Sequence, residues 1–231
     1  MLDSEARRTL NELQSALASL PRRDTPSARG VRRQYSRRLR SAAPSTVFAV
    51  AQGLVDVGRA IERFVAYELV AEHPTARALL SATRLRTLAR DLDSWGAVDC
   101  FGCILAGQAW REGLIPTEVV RRWAVSRNHW WRRAALVSTV PLNNRARGGH
   151  GDARRTLAIC DLLVRDRDDM VVKALSWALR ELAKRDPPAV RAYLDRHSSI
   201  LAPRVRREVE NKLRTGRKNP ARASADGVKC R

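Results

Sequence analysis

The chain echoes itself at a distance. Shifting its second half by forty residues lays Trp131-Arg-Arg-Ala-Ala-Leu over Val171-Val-Lys-Ala-Leu-Ser, so that Arg133 falls on Lys173 and Ala134 on Ala174. That offset suits a unit of two helices, which buries its apolar stripe only when a neighbour stacks on it. Helical spacing recurs elsewhere, as in Leu10, Leu13, Leu17 and Leu20, and no long Val/Ile/Thr alternation competes with it. The pattern predicts an all-α protein of HEAT-like helical repeats stacked into a curved solenoid with a basic concave face. A plain helical bundle is the alternative.

Punctuation by Pro, Gly and capping residues divides the chain. Helices are expected at 3–20, 44–57, 59–72 and, as one or two short pieces, 75–93. Ser94 to Trp110 forms a central segment, followed by Thr117, a candidate N-cap, and Asn128, another. The glycine-rich stretch Asn143 to Gly151 reads as a loop. Further helices are expected at 152–164, 169–185, 188–196 and 203–213. One domain over 1–215 is followed by a basic, disordered tail at 216–231. Within 22–40, where arginine dominates around a turn expected at Gly30, the choices are a basic arm, a helix face along phosphates, or a solvated segment.

Charge narrows the partner. Forty-four Lys and Arg against twenty-four Asp and Glu leave a net charge of +20, which points to a polyanion, with nucleic acid first. An anionic membrane would favour a basic amphipathic helix with bulky apolar anchors, and none stands out. No apolar run reaches a membrane span and the N-terminus lacks a signal-peptide core, so a cytoplasmic protein is expected. Cys100 and Cys103 form a CxxC, but without a second pair it reads as small buried thiols rather than a metal or redox site. Neither metal nor cofactor is expected.

Within the central segment only Asp99 is charged between Gly96 and Trp110. A continuous helix would align Trp95, Asp99, Gly102 and Ala106 on one sparsely covered face, opposite Val98, Phe101 and Leu105. Asp99 is then either a functional carboxylate beside an aromatic ring or a buried acid paired with an arginine of the next helix. The helix at 169–185 buries Val171, Leu175, Ala178, Leu179 and Leu182 and turns Lys173, Trp177, Arg180, Glu181 and Lys184 the other way. A tryptophan among cations suits a sugar–phosphate backbone, unless Trp177 packs under a neighbouring repeat. After Asn128, Arg133 shares a side with His129 and Trp130, and Arg132 adjoins it.

These stretches together resemble the AlkD-like DNA alkylation repair glycosylases, which are built of HEAT-like repeats. The resemblance rests on Ser94-Trp-Gly-Ala-Val-Asp-Cys, Ser126-Arg-Asn-His-Trp-Trp-Arg-Arg-Ala-Ala-Leu and Val172-Lys-Ala-Leu-Ser-Trp-Ala-Leu-Arg-Glu-Leu-Ala-Lys. It covers residues 60 to 213 and is poor in the first third, where Tyr35 is the only tyrosine near the place of the family's active-site tyrosine. It implies a catalytic Asp99, active-site Trp95 and Trp177, and a backbone-binding Arg133; from the helix faces they share, Trp130, Arg132, Lys173, Arg180 and Lys184 are expected as further DNA contacts. The implied substrate is double-stranded DNA carrying N3- or N7-alkylated purines, excised without base flipping by a monomer.

Two rivals remain on the same scaffold. A non-catalytic module would bind damaged or branched DNA; a protein scaffold would bind acidic partners. The joint presence of Trp95, Asp99, Arg133 and Trp177 favours the enzyme, since a phosphate binder gains nothing from an acid facing DNA. Within the enzyme class, dedicated self-resistance against bulky alkylating natural products is the alternative to general repair.

Overall fold

The computed structural model describes residues 4–219, and among them every regular element is helical. The segment read as a disordered tail lies outside the described residues from 220 onward, as does Cys230.

Helix α1 (Ser4–Ala18) buries Ala6, Leu10, Leu13 and Leu17, as their spacing requires. The arginine-rich stretch is a helix too, α2 (Thr25–Arg38), which runs through Gly30 instead of turning there. Its start is fixed by Asp24, whose carboxylate accepts from the Ser27 amide at 2.9 Å, and by Pro26 in the first turn. Arginine is a good helix former, and two acids on the next inner helix hold the segment down. Arg23 donates to Glu62 at 2.7 Å, while Arg29 and Arg32 both donate to Glu68. These anchors outweigh the roughly 1 kcal/mol that an interior glycine costs.

Helices α3 (Pro44–Asp56), α4 (Ala60–Glu72), α5 (Pro74–Ala78) and α6 (Ala82–Leu88) follow. The central segment comprises α7 (Trp95–Cys100), a π-helical stretch Phe101–Ala106 and α8 (Gly107–Arg111). Beyond it lie α9 (Thr117–Ala124), α10 (His129–Val137), α11 (Val140–Asn143), a 3₁₀ turn at Arg145–Arg147, α12 (Ala153–Leu163), α13 (Asp169–Leu182), α14 (Pro187–Arg196) and α15 (Pro203–Thr215). Asn128 caps α10 as its type suggests, accepting from the Trp130 amide at 2.8 Å. Thr117 does not cap α9: Pro116 occupies that position, and the Thr117 hydroxyl accepts from the Trp110 indole at 3.1 Å.

Two layers result. α2, α4, α7, α10, α13 and α15 each pack on the next, and α7, α10 and α13 of this inner row carry Trp95, Asp99, Arg133 and Trp177. α1 on α3, α3 on α6 and α9 on α12 make the outer row, while α1 with α2, α3 with α4, α9 with α10 and α12 with α13 pair across the layers. This is a helical-repeat solenoid, and α10 and α13 begin at His129 and Asp169, the forty-residue offset seen in the sequence. Buried apolar side chains from Ala6 to Val209 form one continuous core. Ionic hydrogen bonds between successive inner helices span 34 to 39 residues, from Arg133–Asp99 to Arg29–Glu68.

The central helix differs from the continuous α-helix expected. The π turn shifts its register, and Gly102 and Ala106 are buried rather than left bare beside Asp99. A Cβ on Gly102 would lie 2.7 Å from Val137, and one on Gly107 would lie 2.5 Å from the Ser138 carbonyl. The small residues let this helix approach the chain after α10.

Candidate active site

Three successive inner helices converge on one ion pair. Asp99 stands on the first turns of α7, and Arg133 reaches it from α10 with two near-parallel hydrogen bonds, Nε to Oδ1 at 2.9 Å and Nη2 to Oδ2 at 2.8 Å. The third guanidinium nitrogen donates to the Met170 carbonyl on α13 at 2.6 Å. A planar fork with both ends held cannot swing, so Asp99 has one orientation. The Arg133 side chain is 7% exposed and that of Asp99 19%.

Around this pair opens a cleft of about 510 Å³, lined by Trp95, Asp99, Arg133, Met170, Lys173, Trp177, Arg180 and Lys218. Trp95 opens α7 and is 61% exposed, an unusual position for the largest apolar side chain. Trp177 is half-buried on α13 and packs against the core. Lys173 is held by Asp169 at 2.6 Å, and Arg180 donates to the Ser176 hydroxyl at 3.1 Å. Carboxylate, indole faces and cations thus share one open concavity.

Burial pushes Asp99 above the ordinary aspartate value, against the opposing pull of Arg133. Burial also lowers Arg180, countered by Glu208 and Glu181. The two thiols nearby are raised by burial, Cys100 to about 11 and Cys103 to about 12, so they stay protonated at neutral pH. Among the described residues no group of three or more His, Cys, Asp or Glu side chains is placed to hold a metal ion. A second cleft, of about 280 Å³, lies between Glu68, Glu72, Arg77, Gln108 and Arg147, but no aromatic ring lines it and Glu68 is already engaged by two arginines.

Six of the residues singled out in the sequence meet at the cleft: Trp95, Asp99, Arg133, Lys173, Trp177 and Arg180. Three others do not line it. Trp130 lies against His129 with ring centroids 4.4 Å apart and the planes tilted by 48°, Arg132 is drawn to Asp166 at 2.7 Å and to the Ser126 and Arg127 carbonyls, and Lys184 bonds Glu181 at 2.6 Å. Glu181 itself is buried rather than on the open face of α13. Asp99 is paired with an arginine of the next inner helix, as the second reading of it expects, and it also borders the cleft. Met170, Lys218 and the buried Glu208 were not identified from sequence. The one available signal was Gly216, a helix-stopping glycine that announces a chain reversal after α15.

No helix among the described residues is long and apolar enough to cross a membrane. No curated protein and no solved structure matches the chain. Residues 24–213, from the N-cap of α2 into α15, match the family described as DNA alkylation repair enzymes, and the chain belongs to that family.

Proposed function

We propose that this repair enzyme is a DNA glycosylase that hydrolyses the N-glycosidic bond of N3- or N7-alkylated purines in duplex DNA. The observation that carries the reading is the Asp99 carboxylate, fixed by Arg133 in a cleft that also holds two indoles and three further cations. An alkylated purine already bears positive charge, so the C1′–N bond breaks to give a neutral base without a proton donor. Positive charge passes to the sugar, where a preorganised carboxylate stabilises it. Water then adds its oxygen to C1′ and releases a proton, leaving the abasic sugar.

Trp95 and Trp177 flank the sugar in this scheme, excluding water and attracting the developing cation through their ring faces. Lys173 and Arg180 take phosphates. Arg133 spends three of its five N–H groups on Asp99 and Met170, so its first role is to position the carboxylate; the others serve the backbone. Arg132 and Lys184, with Trp130, extend the DNA-contacting surface outside the cleft. An open cleft favours excision without flipping the base into a closed pocket, and it accommodates bulky adducts as well as methyl groups. One monomer suffices, since one lesion needs one site.

Closure of Asp99 and Arg133 on each other is the observation that favours a non-catalytic DNA-binding module instead. Release of free base from duplex containing 7-methylguanine, by wild type and Asp99→Asn with binding followed in parallel, decides between them. Base release by wild type alone, with both proteins binding, supports the glycosylase. Binding without release by either, for methyl and then for bulky adducts, leaves the binding module.

A further inference from the structure

The chain does not leave the molecule when α15 ends. Gly216 adopts a left-handed conformation, with φ of 72°, and its amide closes the helix onto the Lys212 carbonyl at 2.9 Å. The Lys212 ammonium also donates to the Gly216 carbonyl. The next residues are fastened back along α15: the Arg217 amide donates to the Thr215 hydroxyl at 3.2 Å, and the Asn211 side chain donates to the Lys218 carbonyl at 3.3 Å. This reversal carries Lys218 to the wall of the Asp99 cleft.

A buried acid waits there. Glu208 on α15 has a side chain only 5% exposed, accepts from the Ser176 hydroxyl at 2.6 Å, and lies 3.4 Å from the Lys218 ammonium, 3.4 Å from Arg204 and 3.9 Å from Arg180. Ser176 adjoins Trp177, and Arg180 lines the same cleft. Glu208 therefore ties one wall of the site together, fixing Arg180 and Lys218 beside the tryptophan.

We infer that Lys218, aimed into the cleft by buried Glu208 and the Gly216 reversal, is a DNA-phosphate anchor, so that the turn at 216–219 forms part of the DNA-binding site. The inference rests on the DNA substrate of the family and not on the glycosylase chemistry. Three donors sit on an ammonium, and Glu208 engages one side of it, leaving N–H groups for a phosphate oxygen. Glu208 faces Arg180, Arg204 and Lys218, and Arg204 is shared with Asp169 at 2.6 Å, so two carboxylates against three cations leave the cluster positive, as a phosphate requires. Because Glu208 already holds it, Lys218 loses little side-chain freedom when DNA arrives.

The test is duplex binding across a salt series by wild type, Lys218→Ala, Lys218→Arg and Arg206→Ala, with undamaged DNA as probe. Arg206 is an exposed cation on α15 paired with Glu210 and does not line the cleft, so it controls for bulk charge. Loss of one phosphate contact lowers the slope of log K against log salt by about 0.9 and affinity at 0.15 M salt by about fivefold. That outcome for Lys218→Ala, with restoration by Lys218→Arg and no comparable loss for Arg206→Ala, is expected. An unchanged slope for Lys218→Ala, or equal losses for Lys218→Ala and Arg206→Ala, overturns the assignment. Binding is read without a lesion, so failure to release any base bears on the proposed chemistry and leaves this result intact.

Discussion

Asp99 carries two opposing influences, and their balance sets a pH dependence. Burial raises its pKa above 3.8, the ordinary value, while Arg133 restrains the rise. Protonated Asp99 has no charge to offer a developing cation, so the proposed glycosylase should lose base release as pH drops through that raised value. A pH series corrected for uncatalysed loss of the alkylated base checks this. Asp24 and Asp169 shift the other way, lowered by hydrogen bonds to Ser27 and Lys173 respectively. Their contribution to stability is full above their ordinary values and disappears only as pH falls through the lower folded ones. Circular dichroism over the same pH series separates loss of the Asp99 charge from loss of the fold. At this scale the sequence was informative about Asp99, Trp95 and Trp177, because a lone charge and large aromatics stand out against their neighbours. It was silent on Lys218, whose position depends on Glu208 and Asn211, contacts that no local pattern encodes.

Among the elements, two glycines predict opposite outcomes for the same substitution. Gly30 lies in the interior of α2 with nothing within 4 Å of a Cβ built there. Gly30→Ala should stabilise the protein by about 0.5–1 kcal/mol, because it relieves the entropy cost of glycine in a helix. Gly107 meets the Ser138 carbonyl, a backbone atom that cannot step aside. Gly107→Ala should cost about 1–3 kcal/mol and, by pushing the central helix from α10, weaken the Asp99–Arg133 fork. Urea denaturation of both variants, with base release measured on the second, reads these effects. Helix positions followed from apolar spacing and caps, whereas the π turn at Phe101–Ala106 did not. A π turn preserves the same residues and alters only which side they face, so composition carries no trace of it. The order of α2 was hidden for a related reason: the acids that hold its arginines, Glu62 and Glu68, come from a different helix.

In a molecule whose units contact mainly their neighbours, stability is shared through successive interfaces and fraying starts at the ends. The candidate site lies toward the C-terminal side of the row, across α7, α10 and α13, with Lys218 reached only through α15. Hydrogen exchange in low urea should show α14 and α15 opening before α4, and DNA binding should decline with that opening while most helicity persists. Uniform exchange across all inner helices would contradict this order. The forty-residue echo made the solenoid legible, but not that one arginine would bridge three units. That bridge has a consequence for the order of synthesis. Asp99 is made first, Arg133 thirty-four residues later and Met170 thirty-seven after that. At about 5–20 residues per second, the acid waits on the order of ten seconds for the residue that holds the far end of its arginine. A nascent chain that stops short of Met170 can form the fork but not its third hydrogen bond, so the complete arrangement belongs to the stack and to no single repeat.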